Sequence, residues 1–479
     1  MYACCRYKGC ENISPSLAPS HQGRESSLAL RERLRGFLIK NMKNTVKIIE
    51  VLRNRNFLKL WIGQIVSALG DRFHQMALLG LIMKKGGNVG EELSKITFWS
   101  VLPFFLFSLF SGVLSDRWSR KNILIGSDMA RVLLVCAIPW IIRDSSYIAP
   151  AYPVIFVIGI FTCLFSPAKF SIIPNIVEDR HLLAGNSLIS SSALLSVLAG
   201  TAIGCVVFDS IGFKPSMYFD AFTYLFSAGT IWKLTVKERE RPVIKGITVV
   251  LSDIKEGMKY MYHDARLMIL ISFGAIFWLV GISFYVVLSD FAGKIWGFTS
   301  LTPLGLIFTL LGGGLLIGAI VVGKYGDWVK RNILYTGSIW IMALGIMAFA
   351  LVQSYTVASS IIFFIGIAGG AFLAPINADI QKIVPDELRG RTFACKDIFV
   401  NAAMVTPVLL IGKLTTFISV RALMLYLGVG IFLIGILVAI KSIKLNIIEP
   451  QPKNPSLSPL RKGGHRGCKK TYKTFTPAE

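Results

Sequence analysis

Apolar residues in this chain are gathered into blocks of about 20, the length a helix needs to cross the hydrocarbon core of a bilayer. Twelve such blocks are legible. Six lie at 57–83, 94–115, 122–142, 150–173, 184–208 and 215–235. Six more follow at 266–289, 301–323, 332–353, 356–380, 392–416 and 420–440. In lipid every backbone polar group needs a partner within its own segment, so each block is expected to be a helix. The block at 94–115 carries Pro103, which a membrane helix tolerates. Of 479 residues 53% are hydrophobic and 16% charged, more apolar surface than a soluble domain can hide. The expected fold class is an all-α membrane protein with twelve transmembrane helices.

Basic residues set the expected orientation. With the N-terminus inside, the cytoplasmic segments collect Arg53, Arg55, Arg117, Arg120, Lys121 and Arg180, the run from Lys233 to Arg266, then Lys324, Lys330, Arg331, Lys382, Arg389 and Arg391. The opposite side holds Lys84, Lys85, Lys95, Arg143, Lys214, Lys294, Lys413 and Arg421. Both termini are therefore expected in the cytoplasm, and the net charge of +24 reads as a topology signal and an attraction to anionic lipid, with no nucleic-acid partner.

Five segments are expected. Residues 1–47 are expected to be a basic, disordered cytoplasmic extension without an apolar signal core. Residues 48–235 and 266–441 form two six-helix halves. Between them, 236–265 is a charged linker with an amphipathic helix in which Ile247, Leu251, Ile254, Met258 and Met261 recur at three- and four-residue steps. That helix is expected to lie on the membrane interface. The Pro-, Gly- and Lys-rich tail at 442–479 is expected to be disordered.

The halves echo each other. "SGVLSDRWSRKNIL" (111–124) returns as "VVGKYGDWVKRNIL" (321–334), each in the loop after the second span of its half. At an offset of 208 residues, Pro167 meets Pro375, and Glu178–Asp179 meets Asp386–Glu387. Parallel six-helix halves suit a rocking motion that alternates access to a central site. A rocking protein needs a breakable lock, and the hairpins are candidates. Asp116, Arg120 and Lys121 are expected to meet charges and a helix N-terminus near Arg389–Asp397 in the other half.

"GVLSDRWSRKNIL" resembles the loop signature of the major facilitator superfamily. Gly112, Asp116, Arg117, Arg120 and Lys121 match it, while Ser119 stands where glycine is usual. The second copy keeps Gly323, Asp327, Lys330 and Arg331. "NRNFLKLWIGQIVSALGDRF", "SDMARVLLV" and "IVPDELRGRTFACKDIFVNAA" are similar to the macrolide-efflux and enterobactin-exporter branch, and the resemblance covers about 48–441. It implies two pseudo-repeated halves in the major facilitator fold and a secondary transporter of the cell (inner) membrane. Such a protein would export an amphipathic, drug-, macrolide- or siderophore-like molecule in exchange for protons, without cofactor or metal, as a monomer among membrane lipids. An uncoupled lysophospholipid flippase of the same fold is the alternative. One departure weakens antiport: the fifth span, "SVLAGTAIGCVVF", keeps Gly200 and Gly204 at a close-packing spacing but lacks the glycine–proline pair common in such exporters.

Charges within the spans are costly unless paired or wet. Asp71 and Arg72 fall near the middle of the first span, and His74 follows one turn beyond Asp71. Asp128 and Arg131 are three residues apart on one face of the third, close enough to pair. Asp220, Asp379 and Asp397 lie in the sixth, tenth and eleventh. Asp71 is the expected coupling carboxylate, the competing reading being a permanent pairing with a basic neighbour. Asp128–Arg131 is either part of that coupling or a fixed brace. Gln64 and Ser67 share a face of the first helix with Asp71 and are the expected cavity wall. Asn377 and Asn401 are candidate polar partners from the other half, or else interhelical hydrogen bonds. No phosphate loop, Ser–His–Asp order or metal-ligand spacing is present, so no enzyme is expected. Eight cysteines scattered through tails and helices suggest no disulfide.

Overall fold

The computed structural model describes residues 49–86, 88–143, 148–178, 181–236 and 247–445. The expected extension at 1–47 and the tail beyond Leu445 lie outside the described residues, as do the side chains of Asp116, Arg117, Asp327 and Arg389. The first half contains α1 (Arg55–Lys85), α2 (Val89–Arg117), α3 (Arg120–Ile141), α4 (Tyr152–Ile176), α5 (Leu182–Ile211) and α6 (Phe213–Trp232). A linker helix, α7 (Ile247–His263), precedes the second half. That half contains α8 (Ala265–Lys294), α9 (Thr302–Tyr325), α10 (Arg331–Leu351), α11 (Tyr355–Ile383), α12 (Asp386–Phe417) and α13 (Val420–Leu445).

Among the described residues nine of these helices are long and apolar enough to cross a membrane by composition alone. The twelve-helix fold is completed by α1, α2 and α6. In α1 the apolar run is interrupted by Asp71, Arg72, His74 and Gln75, and α6 carries Lys214 and Asp220 in only 20 residues.

Helix starts follow local chemistry. The Asn54 side chain accepts from Asn56 N and Phe57 N at 3.0 and 3.2 Å and so caps α1, and Asp264 does the same for α8; each satisfies donors that an open helix end leaves free. Gly86 ends α1 at φ +75°, a conformation glycine adopts without strain. The first hairpin is short: α2 ends at Arg117, Trp118 and Ser119 turn the chain, and α3 begins at Arg120. The second inserts a single 3₁₀ turn, Gly326–Trp328.

Packing repeats between the halves. In the first, α1 packs on α5, α2 on α4, and α3 on α6; in the second, α8 packs on α12, α9 on α11, and α10 on α13. Among the described residues the halves meet through three further pairs, α2 with α12, α5 with α9 and, less extensively, α2 with α8. Glycine lets several of these pairs approach closely. A Cβ on Gly314 or Gly318 of α9 would lie 2.2 and 2.0 Å from the backbone oxygens of Phe363 and Ile367 of α11. Gly366 and Gly370 of α11 present the same face back to Leu311 and Leu315. Gly200 and Gly204 of α5 similarly seat Arg72 and Phe73 of α1. Backbone cannot yield to a side chain in such a contact. Gly318→Leu is therefore expected to cut folded protein in the membrane at least severalfold, read as the monodisperse fraction after detergent extraction, whereas Gly313→Leu, with open space around it, is expected to leave it near wild type.

The linker helix differs from the sequence expectation. It does not only face lipid: Gly257 of α7 packs against Arg391 and Cys395 of α12, Arg391 Nη1 meets Glu256 at 2.5 Å, and Met261 is buried. Leu251 and Ile254 fall among side chains outside the description, and Met258 is exposed.

Candidate functional site

Four helices of the first half converge on a buried polar cluster. From α1 come Asp71 and His74, from α3 Asp128 and Arg131, from α6 Asp220, Thr223, Tyr224 and Ser227, and from α4 Phe165 and Lys169. Arg131 is fully enclosed: its guanidinium pairs with Asp128 and lies 4.5 Å from the Phe165 ring and 4.3 Å from the Tyr224 ring. An aromatic face attracts a cation most strongly where water is excluded. The Tyr224 hydroxyl donates to Asp71, so the same tyrosine that stacks on the arginine also binds the carboxylate. His74 Nδ1 meets Asp220 Oδ2 at 2.9 Å, and the hydroxyl of Thr223 lies 3.3 Å from the other Asp220 oxygen. Arg131 is within electrostatic reach of Asp71 and Asp220 as well, and Lys169 within reach of Asp71.

The cluster answers the pairing question for Asp71. Its partner is the neutral hydroxyl of Tyr224, from the sixth helix, in place of a direct ion pair with Arg72 or Arg131. Arg72 turns instead to Gln75, at 2.8 Å. Asp128 and Arg131 are joined as their spacing suggested, with both side chains buried. One atom each from Asp71, His74 and Asp220 lies within 4.8 Å of the others, a convergence invisible in sequence because Asp220 is 146 residues from His74. Each of the three is already engaged, Asp71 by Tyr224 and His74 with Asp220 by each other, and the Arg131 and Lys169 side chains stand nearby. The group is thus a hydrogen-bonded titratable network.

Of the expected cavity wall, Gln64 is half-buried and its amide nitrogen has no hydrogen-bond partner. Ser67 sits at a helix contact. It is buried on the stripe of α1 that carries Gly63 and Gly70, and those glycines contact Thr230, Thr223 and Asp220 of α6. Ser67 therefore packs the first helix onto the sixth. Small polar residues suit both a cavity and a tight helix contact, and sequence periodicity does not separate the two. Asn377 is exposed and accepts from Lys396 of α12 at 3.2 Å, with Lys396 also 3.3 Å from Asp397. Asn401 is half-buried on α12.

The hairpins also depart from expectation. Arg120 donates to the Ser171 carbonyl at 2.9 Å and to Asn175 at 3.3 Å, and Lys121 to the Leu234 carbonyl at 2.8 Å. In the second half Arg331 lies 3.4 Å from Asp379, which also accepts from the Tyr335 hydroxyl at 2.7 Å. Ser171 and Asp379 differ by the same 208 residues that relate Pro167 to Pro375. In each half, then, a hairpin cation reaches the same register of that half's fourth helix. Gly323 and Lys330 are exposed, and Gly112 lies near the end of α2.

A polar latch joins the halves at the end opposite the hairpins. Asp209, near the end of α5, accepts from Leu301 N at 3.0 Å, Thr302 N at 2.8 Å and Thr302 Oγ1 at 2.6 Å. It thereby caps the N-terminus of α9, where backbone donors and the helix dipole favour an anion. Nearby, Asp290 of α8 accepts from Gly90 N of α2, and Thr415 of α12 donates to Asn88 at 2.9 Å. Gly90 and Gly412 allow α2 and α12 to touch here. This end is closed. A hydrogen bond to a charged group contributes roughly 1.5–3 kcal/mol, so Asp209→Ala is expected to shift the balance toward a state open at this end by about tenfold or more. Longer distances between spin labels on the α2 and α12 ends would register the shift.

Two halves of six helices related by a repeated packing scheme, with a buried polar network inside one of them and a latch between them, have the architecture of a membrane transporter. The chain belongs to the major facilitator superfamily, whose model matches residues 60–394 and 296–475. It is similar to the Bacillus amyloliquefaciens protein BacE, named as a bacilysin exporter, with 24% identity over 385 residues, 78% of this chain and 92% of that one. Macrolide efflux protein A of Streptococcus pyogenes is 23% identical over 397 residues, 79% of this chain and 94% of its own. The lysophospholipid transporter LplT of Photorhabdus laumondii is 20% identical over 396 residues, covering 81% and 94%. Among solved structures, a bacterial homologue of the iron transporter ferroportin in an inward-facing state has a TM-score of 0.64 at 14% identity, covering 81% of this chain and 98% of that one. That likeness is one of fold.

Proposed function

We propose that this protein is a proton-coupled exporter of amphipathic small molecules in the cell membrane, with both termini cytoplasmic. The observation that carries the reading is Asp71, a carboxylate in the middle of α1 held by the Tyr224 hydroxyl and not by a fixed counter-ion. Arg131 and Lys169 lie within electrostatic reach of that carboxylate without pairing with it. The similarity to BacE and to macrolide efflux protein A supports export. On the orientation implied by the basic loops, the latched end is the outer one.

The second reading, uncoupled movement of a lysophospholipid, is favoured by the similarity to LplT. Inverted membrane vesicles separate the two. Uptake of macrolides, siderophores and lysolipids is measured with and without an imposed pH gradient. Uptake of a macrolide or siderophore that collapses when the gradient is dissipated supports the exporter. Uptake of lysolipid alone, indifferent to the gradient, would replace it with the flippase.

A further inference from the structure

We infer that His74 carries protons between water and Asp71, with Asp220 as the residue that positions it. The inference rests on the coupling role of Asp71 proposed above and names the path by which its proton arrives.

The geometry is that of an oriented imidazole. Asp220 is fully buried and holds His74 Nδ1 at 2.9 Å, while the His74 side chain keeps 12% of its surface exposed. With Asp220 ionised, the satisfying tautomer places the hydrogen on Nδ1 and leaves Nε2 as an acceptor. Nε2 has no hydrogen-bond partner among the described residues. A proton taken from water by Nε2 yields an imidazolium whose Nδ1–H stays on Asp220, so the buried charge is compensated as it forms. His74 lies one helical turn from Asp71, and one of its ring nitrogens is within 4.8 Å of an Asp71 oxygen, a gap of the size that a single water molecule can span. The imidazolium then gives up its Nε2 proton to that water, the water passes one of its own protons to Asp71, and an O–H bond forms on Asp71 as the imidazole returns to neutral.

Titratable groups stand on each helix of this cluster. Asp71 and Arg72 flank it on α1, Asp220 and Tyr224 face it from α6, and Asp128, Arg131 and Cys136 stand on α3. Lys169 approaches from α4. Thr223 shares Asp220 with the histidine, and Gly70 lets α1 approach closely enough for the contact, since a Cβ there would strike Asp220 and Thr223.

The test needs no substrate, because the proton is the probe. The purified full chain in lipid nanodiscs is taken through a rapid downward pH jump, and the C=O band of protonated carboxyl groups is followed by infrared spectroscopy. The band component lost in Asp71→Asn is that of Asp71. In His74→Gln this component is expected to reach the same final size but on the order of a hundredfold more slowly, a modest value for a positioned proton-transfer group. Asp220→Asn is expected to slow it as well. Free imidazole is expected to restore the rate in His74→Ala, an effect that a merely structural histidine would not produce. A wild-type rate in His74→Gln and His74→Ala would overturn the inference while leaving Asp71 in place. A band unchanged in Asp71→Asn would instead overturn the coupling role on which it rests.

Discussion

Asp71→Asn is expected to abolish accumulation of substrate against its gradient while leaving binding and downhill exchange measurable. Asparagine keeps the shape of the carboxylate and its contact with the Tyr224 hydroxyl, but it does not titrate. Coupling requires that proton and substrate each change the free energy of the other's binding, a difference of a few kcal/mol being sufficient. At 1.5 Å per residue Asp71 is about 25 Å from the start of α1, so proton and substrate meet it deep in the bundle. Asp71→Glu is expected to retain partial coupling, since it titrates from a displaced position. The measurement is concentrative uptake into inverted vesicles beside equilibrium exchange in the same preparation. Wild-type accumulation and pH dependence in Asp71→Asn would make Asp71 structural and pass the role to Asp128, Asp220 or Asp379.

Arg131→Met is expected to cause the largest loss of stability of any single change in the cluster. Arg131 and Asp128 are both buried, and Asp128 Oδ2 already lacks a hydrogen-bond partner. Removing one member of a buried pair leaves the other charge uncompensated, at a cost of about 3–5 kcal/mol. The two aromatic contacts of the guanidinium are lost as well. The double change Asp128→Asn with Arg131→Met is expected to recover much of the loss, because it leaves no unpaired charge. Thermal unfolding of the detergent-solubilised single and double variants measures this directly. A double variant no more stable than Arg131→Met would mean that the aromatic sandwich, and not the ion pair, holds these helices.

The helical architecture was legible because lipid leaves the backbone few choices. Twelve apolar blocks correspond to twelve helices, although length and composition alone do not single out α1, α2 and α6 among the described residues. The Asp128–Arg131 pair was legible because an i,i+3 spacing is itself a statement about geometry. The His74–Asp220 contact was not, since its partners meet only through the packing of α1 on α6, which depends on Gly63 and Gly70. Ser67 lies on that same packing face of α1, a placement that helical periodicity does not reveal. The hairpin cations reach carbonyl and carboxylate groups of their own half, at Ser171 and Asp379. In this conformation the contacts described between the halves gather instead around Asp209 and Asn88, at the other end.

Coupling itself is tested most directly by following protons instead of substrate. The protein is reconstituted into liposomes that enclose a pH-sensitive dye, and a substrate identified in the vesicle screen is added on one side without any pH gradient. Substrate entering down its own gradient is expected to drive protons the opposite way, producing a dye signal that Asp71→Asn abolishes. Substrate entry at the wild-type rate with no movement of protons would contradict proton-coupled export and leave a facilitator of the same fold.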